Sequence, residues 1–525
     1  MKAADELNLP RALRAAFKRI DRLIDALVDP ARREKTALML LAAYAVIWTL
    51  YGVVAKAGQD VQFDAAELVA WSHHAAFGYS KHPPLAAWLL YAWFFVFPIR
   101  DWSYYLFTMI YVALGLWITW RLFALYLDPA KRVVALACLM LIPYFNLLSL
   151  RFDHNAALST LWAATALCFV RSFDTRSPKW AALAGAAAAL AMLGKYWSLF
   201  LLVGLAVAAM LDARRASYFR SPAPWITVGV GALALAPHLV WLVQHNFIPL
   251  TYAVDAHAVK ILWHSLYAAA GFLAGGAGYA AVPVLLVLAF SRPSRAAFAD
   301  MLLPSTPERR FAATAFWTML LLPPVVAILF GFEINSLWTM SEFVLLPVVL
   351  LSSPMIDMSR RVMAPIVLAA VALPLVMLAA SPGIAIGVHI SGLHPTSTNA
   401  KLLAGRIEQE WQRSTDRPLR IVGGDFDLAN VTVFYLPGQP SALPVLEPET
   451  VPWVTPERVE REGVAMVCYL NPGQHDCTLV IRMAIDKFIA HNPPSRRVEA
   501  TVTPDFWGIA GKPTRYLIEI VPPKT

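Results

Sequence analysis

The chain has 525 residues, of which 58% are hydrophobic and only 15% are charged, and its mean hydropathy is +0.55. Soluble domains carry about a quarter charged residues, so this composition excludes an ordinary soluble globule. The net charge of +9 does not come with a stripe of interleaved basic and aromatic residues, so a nucleic-acid-binding protein is a poor interpretation. The composition predicts a polytopic α-helical membrane protein.

Residues 1–36 carry a basic helical pattern and lack the features of a cleavable signal peptide. We predict a cytoplasmic amphipathic segment here, either at the membrane interface or as a plain solvated helix. Apolar runs follow that are long enough to cross a hydrocarbon core, which takes roughly 20 residues. We predict about 11 spans, which lie at 37–55, 102–126, 131–150, 156–172, 179–194, 197–211, 224–243, 266–290, 311–330, 342–356 and 362–380.

The loops between these runs predict the orientation of the spans. With the N-terminus inside, the loops on the cytoplasmic side carry most of the Lys and Arg residues, as the positive-inside rule requires. Reversing the orientation inverts this bias. The first loop, residues 56–101, and the C-terminal region are therefore predicted to lie outside the cytoplasm.

A composition shift near residue 381 predicts two parts, a transmembrane module at 37–380 and a C-terminal domain at 381–525. The second part is more polar, and we interpret it as an extracytoplasmic α/β domain with one amphipathic helix at 397–414. Its strand-like segments are PLRIVGG, NVTVFYL, VAMVCYL, CTLVIRM and TRYLIEIV.

Two of the four cysteines, Cys468 and Cys477, lie in the C-terminal domain within MVCYLNPGQHDCTL. An Asn-Pro-Gly turn between two apolar runs predicts a hairpin that brings them together. In an oxidising compartment outside the cytoplasm, we expect a disulfide between them.

Titratable residues gather at the outer ends of the predicted spans. Charged groups near a hydrocarbon core are costly, so their first interpretation is functional. Acids can deprotonate an acceptor or hold a divalent cation, and Lys and His can neutralise a phosphate. The pattern therefore predicts a site at the membrane–water boundary. Its candidates are Asp64, Glu67, Lys81, His82, Asp153, Lys195, Asp255, His257 and Lys260.

Three stretches carry a resemblance to a known family. The segment DAAELVAWSHHAAFGYSKHPPL, residues 64–85, aligns without a gap to the pattern DEAYYWxWSxxLAxGYYDHPPL. This pattern is typical of the first outer loop of GT-C glycosyltransferases. RFDHNAALSTLW (151–162) resembles their acid-bearing second outer loop, and LGKYW (193–197) resembles their Gly-Lys turn. The resemblance covers roughly residues 40–260. It implies a family 39-like member of the superfamily that contains the protein mannosyltransferases and aminoarabinose transferases.

The resemblance also implies residue roles. Asp64 stands where the family places its catalytic base, and Asp153 stands at the second-loop acid that supports the acceptor or a metal. Glu67 and Asp255 are candidates for contacting the acceptor or a metal. Binding of the donor phosphate is implied for Lys81, His82, Lys195, His257 and Lys260.

Two positions depart from the family pattern. Ala65 replaces the second acid of the DE pair, and Lys81 replaces the acid before HPP. In relatives that acid can hold a divalent metal, which a lysine cannot do. The resemblance therefore leaves a divalent cofactor open, with Lys81 as a direct contact to phosphate or to an acidic sugar.

The implied activity is transfer of a hexosyl or pentosyl group from a polyprenyl-phosphate donor at the periplasmic face of the bacterial inner membrane. The acceptor could be lipid A of lipopolysaccharide, a surface glycan, another glycolipid or a protein. The alternative is a transporter or flippase for lipid-linked sugars, which predicts paired repeats and charges near mid-bilayer that the sequence does not show. A non-catalytic assembly subunit that binds through its C-terminal domain is a third hypothesis.

Overall fold

The computed structural model describes residues 11–259, 261–392, 396, 399–470, 477–488 and 495–524. The fold is mostly helical, as predicted. The helices up to residue 257 are α1 Arg11–Val28, α2 Arg33–Ala55, α3 Phe63–Ser72, α4 Leu85–Phe94, α5 Asp101–Phe123, α6 Pro129–Leu141, α7 His154–Thr175, α8 Pro178–Gly194, α9 Ser198–Leu211, α10 Arg215–Phe219, α11 Ala223–Gln244 and α12 Ile248–His257. The later helices are α13 Leu262–Ser291, α14 Arg295–Leu302, α15 Pro307–Phe330, α16 Leu346–Leu351, α17 Arg360–Ser391, α18 Ala400–Gln412, α19 Phe426–Tyr435, α20 Pro456–Glu462 and α21 Cys477–Phe488.

Seven of the described helices are long and apolar enough to cross a membrane, or eight if α6 and the bent segment after it form one span. The predicted count of 11 is therefore not confirmed. The runs predicted at 179–194 and 197–211 form helices of 17 and 14 residues. The run predicted at 342–356 is divided between a 3-10 helix, Ser336–Val344, and the short α16.

Local sequence chemistry explains the limits of α6. Asp128 caps its N-terminus, since one carboxylate oxygen accepts from the backbone N–H groups of Ala130 and Lys131. Pro143 lacks an N–H group and forces Ile142 into extended backbone, so the helix ends at Leu141. The chain then bends by 84° into two short 3-10 turns.

The chain forms two compact units. The first, which we call the helical unit, comprises residues 1–48, 82–85 and 106–377. The second, which we call the sheet unit, comprises residues 49–81, 86–105 and 378–525. Most of the first loop groups with the C-terminal region in the sheet unit.

In the helical unit, α7 and α8 pack closely along each other, as do α8 and α11, and α9 and α15. The basic N-terminal pattern forms the helix α1, whose apolar face packs on α6 inside this unit. The buried residues of that face are Phe17, Ile20, Ile24 and Leu27.

The sheet unit has the predicted α/β character. Its five-stranded sheet has the order β2-β1-β3-β7-β4, with β1 Ile421–Gly424, β2 Ser441–Pro444, β3 Val464–Tyr469, β4 Arg496–Val502 and β7 Thr514–Val521. β1 is parallel to β2 and β3, whereas β7 is antiparallel to both of its neighbours. Helices α18 and α19 cover one face and α21 covers the other, so β1, β2 and β3 are buried on both sides, whereas the edge strand β4 is largely exposed. A separate hairpin pairs β5 Asp505–Phe506 with β6 Ile509–Ala510.

Two of the predicted strands are wrong. NVTVFYL lies in α19, and CTLVIRM begins α21. α19 connects β1 to its parallel neighbour β2, and such a crossover takes a helix, so the topology overrides the strand propensity of this β-branched run. The predicted helix at 397–414 is confirmed as α18.

Cys468 and Cys477 form a disulfide, with their Cα atoms 5.4 Å apart. The bond joins the end of β3 to the first residue of α21. The expected Asn-Pro-Gly turn lies outside the described residues, and the second cysteine lies on a helix, so the bond does not join two strands of a hairpin.

Candidate active site

The sheet unit holds a buried cation between two acids. The Nζ atom of Lys81 lies 3.2 Å from Oε1 of Glu67 and 2.8 Å from Oε2 of Glu447, and it also lies 3.9 Å from the ring centroid of Phe426. Lys81 and Glu67 are both buried, whereas the Glu447 side chain is 43% exposed. We call Glu67, Lys81 and Glu447 the carboxylate clamp. It joins the first loop to the segment after β2, and both of these belong to the same unit.

The two acids of the clamp differ in environment. Burial raises the pKa of Glu67 to about 7, and the nearby Lys81 ammonium only partly opposes this rise. Glu67 therefore changes its protonation state close to neutral pH, while the more exposed Glu447 lies at the closer ion-pair distance from the lysine.

Asp64 lies in the first turn of α3, one helical turn before Glu67, and is half-buried. It does not cap this helix. Gln62 does, since its side-chain oxygen accepts from the backbone N–H of Ala65 while its amide nitrogen donates to Oδ2 of Asp64 at 2.9 Å. The carboxylate is thus oriented by a neutral partner near the positive end of a helix, where a negative charge is favoured.

The helical unit assembles a second set of predicted residues. The rings of His82 and His154 lie 3.9 Å apart. Asn155, next to His154, accepts a hydrogen bond of 2.7 Å from Nζ of Lys195. This ammonium lies 4.5 Å from the ring centroid of Trp338, and the ring of His257 lies 5.0 Å from the same indole. We call His82, His154, Asn155, Lys195, Trp338 and His257 the basic cluster.

Lys195 is placed by the end of α8. The helix stops at Gly194, where a side chain would lie 2.9 Å from Leu161 of α7, so only glycine allows the two helices to approach this closely here. Lys195 follows in extended conformation, and its backbone N–H donates a hydrogen bond to the backbone oxygen of Ala191. Its cation therefore lies near the negative end of α8 and reaches the first turn of α7.

His257 ends α12 and is half-buried. Burial lowers its pKa, the nearby Lys195 ammonium lowers it further, and Glu333 opposes the shift. At neutral pH this imidazole is therefore uncharged. It can donate a hydrogen bond to an anion but does not add positive charge.

The two remaining acids have different surroundings. Asp153 caps α7, since Oδ1 accepts from the backbone N–H groups of Asn155 and Ala156 while Oδ2 pairs with Arg151 at 3.1 Å. Asp255 is an exposed residue of α12. Glu67 and Asp255, both predicted as acceptor or metal candidates, belong to different units. Lys260 lies outside the described residues.

Sequence reasoning missed Trp338 and Glu447. Trp338 lies in the 3-10 helix Ser336–Val344, just before a run predicted as a span, and Glu447 lies in the C-terminal region, more than three hundred residues from Lys81. Only the charge of Lys81 could have pointed to a partner such as Glu447. A lysine where relatives have an acid requires a counter-charge if it is buried.

The sequence leaves a divalent metal open at this site. Across the described parts of the chain, no three His, Cys, Asp or Glu side chains are grouped as metal ligands. The position that carries an acid in relatives holds Lys81, whose ammonium already pairs with the two carboxylates of the clamp. The donor set on this loop therefore does not fit a divalent cation.

Residues 81–241 match the family model described as dolichyl-phosphate-mannose-protein mannosyltransferase. The crystal structure of ArnT from Cupriavidus metallidurans bound to undecaprenyl phosphate is similar, with a TM-score of 0.61 and 11% identity over 92% of this chain and 97% of that one. The apo state of the same protein gives a TM-score of 0.58 and 12% identity, with the same coverage of both chains. Among curated protein sequences, none matches the chain significantly.

At these identities the structural likeness shows the fold alone, which is that of ArnT. The family model adds a match in sequence, and its range contains the HPPL motif, Asp153 and Lys195. The resemblance predicted from the sequence is thereby confirmed: residues 81–241 match this mannosyltransferase family, and the chain has the ArnT-like GT-C fold.

Proposed function

We propose that the protein transfers a sugar from a polyprenyl-phosphate donor to an acceptor on the periplasmic face of the bacterial inner membrane. The family match supports a lipid-phosphate-linked donor. A protein of the same fold has been crystallised with undecaprenyl phosphate, which supports the same class of carrier. The positive-inside bias supports a periplasmic site.

The observation that carries this proposal is the basic cluster. Lys195 donates to an amide oxygen and lies against an indole face, and these two contacts orient its ammonium. A positive charge oriented in this way suits a phosphate whose negative charge increases as the glycosidic bond breaks. We assign Lys195 as the main contact to the donor phosphate, with His82 and His257 as hydrogen-bond donors and Lys260 as a further cation.

Asp64 is assigned as the general base. It takes the proton from the acceptor nucleophile, which forms a bond to the anomeric carbon of the sugar. The bond between that carbon and the phosphate oxygen breaks, and its electron pair leaves with the polyprenyl phosphate. A general base typically contributes about 10²- to 10⁴-fold to the rate.

We assign different roles to Asp153 and Lys81. Asp153 positions the first turn of α7, and with it Asn155, the partner of Lys195. Lys81 holds the first loop through the carboxylate clamp, and we do not assign it to the donor phosphate. Lipid A, another glycolipid, a surface glycan and a protein remain the acceptor classes to be compared.

The test is a transfer assay with the purified protein in lipid nanodiscs. Synthetic polyprenyl phosphates that carry a hexose or a pentose are offered with envelope lipids and glycans, and mass spectrometry follows both the glycosylated product and the released polyprenyl phosphate. We expect a product with the wild type and at least a hundredfold slower reaction with Asp64→Asn. Full activity of this variant would refute the assignment of the base. Movement of the labelled lipid across the membrane without a product would instead establish the transporter hypothesis.

A further inference from the structure

The small hairpin between β4 and β7 presents an aromatic tip. β5 and β6 are joined by two residues, Trp507 and Gly508, both of which have positive φ angles of 54° and 79°. Two-residue hairpin loops of this kind favour Asn, Asp or Gly at the first position, because a bulky side chain is strained there. This hairpin instead places a tryptophan at that position, and Asp505 stabilises the turn by accepting from the backbone N–H of Gly508.

The tip is apolar and faces outward. The Trp507 side chain is 67% exposed, and its ring stacks on Phe506 with centroids 4.8 Å apart. Ile509 on the returning strand is also exposed. Large exposed aromatic groups on a strained turn do not contribute to the core of the sheet unit, and an exposed apolar patch of this kind marks a surface that contacts a partner or a membrane.

The hairpin is fixed to the end of a membrane helix. His389, in the last turn of α17, forms a hydrogen bond of 2.8 Å from Nε2 to the backbone oxygen of Ile509. Gly511 lets this ring approach, since a side chain there would lie 2.8 Å from it. Nζ of Lys512 donates to the backbone oxygen of Ser391, the last residue of the helix, at 2.6 Å. All these residues belong to the sheet unit.

The order of these contacts shows which way the tip points. Lys512 contacts the very end of α17, whereas Ile509, nearer to the tip, contacts His389, two residues further back along the helix. From Lys512 toward Trp507 the chain therefore runs back along α17, toward the apolar part of this helix. Lys512 lies on the side away from that apolar part.

The length of α17 sets the depth of the tip. Its 32 residues span about 48 Å at about 1.5 Å per residue, and a bilayer with its headgroups is about 40–45 Å thick. The helix begins with the basic pair Arg360 and Arg361, which anchors that end at the opposite surface. The last turn, with His389, therefore lies at the level of the lipid headgroups.

From these observations we infer that the Phe506–Ile509 tip inserts into the headgroup region of the bilayer and fixes the sheet unit to the membrane surface. Tryptophan is enriched at that depth, because its ring is apolar and its indole N–H can hydrogen-bond. The partner is thus the lipid itself. This inference does not depend on the transfer reaction.

The test places a fluorescent label at the tip. In a variant in which Cys138 and Cys168 are replaced by Ala, the native disulfide leaves no other thiol, so Trp507→Cys can be labelled with an environment-sensitive nitrobenzoxadiazole group. The full-length protein is reconstituted in nanodiscs. We expect blue-shifted emission, quenched about twofold or more by lipids that carry a nitroxide near the headgroup, because this is the depth of interfacial aromatic residues.

Glu499→Cys provides the matched control, since its side chain is 64% exposed on β4 of the same unit. We expect its label to emit as in water and to be unaffected by nitroxide lipids. If labels at both 507 and 509 behave like this control, the inference is refuted. It is also refuted if the tip label is blue-shifted in detergent but insensitive to nitroxide lipids, because a protein partner then covers it. The Ile509→Cys label keeps the test decisive if Trp507→Cys destabilises the hairpin.

Discussion

Two lysines of the predicted outer loops have different contacts in the two units. Lys195 of the helical unit contacts an amide oxygen and an indole ring. Lys81 of the sheet unit contacts two carboxylates and a phenyl ring. The two contacts of the first are with neutral groups, whereas the two ion-pair contacts of the second are with acids. The proposal that Lys195, and not Lys81, contacts the donor phosphate follows this difference.

The strongest test of this contrast concerns the rate of sugar transfer. We expect Lys195→Ala to slow transfer by about 10²- to 10³-fold, because an oriented donor to the developing negative charge is lost. Lys195→Arg should recover part of the rate because it retains the cation. Lys179→Ala is the matched control, since Lys179 is an exposed residue at the other end of the same helix. Equal transfer rates for Lys195→Ala and Lys179→Ala would contradict the assignment of Lys195 to the donor phosphate.

The next test concerns stability. Lys81→Met leaves the buried Glu67 beside a second acid, and breaking a buried ion pair costs about 3–5 kcal/mol. We expect the free energy of unfolding to fall by an amount toward the lower end of this range, because Glu447 is 43% exposed and Glu67 can take up a proton. Thermal unfolding in detergent measures this loss of stability. Lys401→Met, which removes a lysine 68% exposed in the same unit, should change little. A stable Lys81→Met protein would contradict the structural role.

A smaller effect is expected in the pH dependence of folding stability. The pKa of Glu67 is about 7 in the folded protein, above its ordinary 4.5, so between these values the unfolded chain releases a proton that the folded chain keeps. Stability from this group is therefore lost as the pH rises from 4.5 to 7. Glu67→Gln should flatten the fall in melting temperature between these two pH values. An unchanged slope in this variant would show that Glu67 is not the responsible group.

The smallest effect is expected from metal removal. Because Lys81 occupies the position of the ligand acid and pairs with both carboxylates of the clamp, a chelator should leave the transfer rate unchanged. Lys81→Asp should instead reduce activity, since it places three acids together without a cation. Abolition of transfer by a chelator, and its recovery with added divalent ion, would contradict this prediction.

The sequence predicted those features that depend on local pattern. Long apolar runs predicted the membrane helices, and the gap-free HPPL alignment predicted the resemblance to GT-C glycosyltransferases. The contacts of Lys195 could not be predicted, because Trp338 lies on a 3-10 helix within a stretch whose apolarity resembles a span. The strand propensity of NVTVFYL was misleading, because α19 is fixed by the parallel pairing of β1 and β2. The partner of Lys81 in the C-terminal region has no signature in spacing at all.

The most direct test of the account compares donor binding by two variants of the full-length protein in nanodiscs. One is Lys195→Ala, and the other is the double variant Lys81→Met/Glu67→Gln, which removes the charged pair of the clamp together. Binding of undecaprenyl phosphate is measured at matched folded fractions, determined by thermal unfolding. We predict that Lys195→Ala weakens binding by about tenfold or more, as expected for the loss of a charge-assisted contact, while the double variant binds like the wild type. Unchanged binding by Lys195→Ala, with binding lost in the double variant, would reverse the roles of the two lysines.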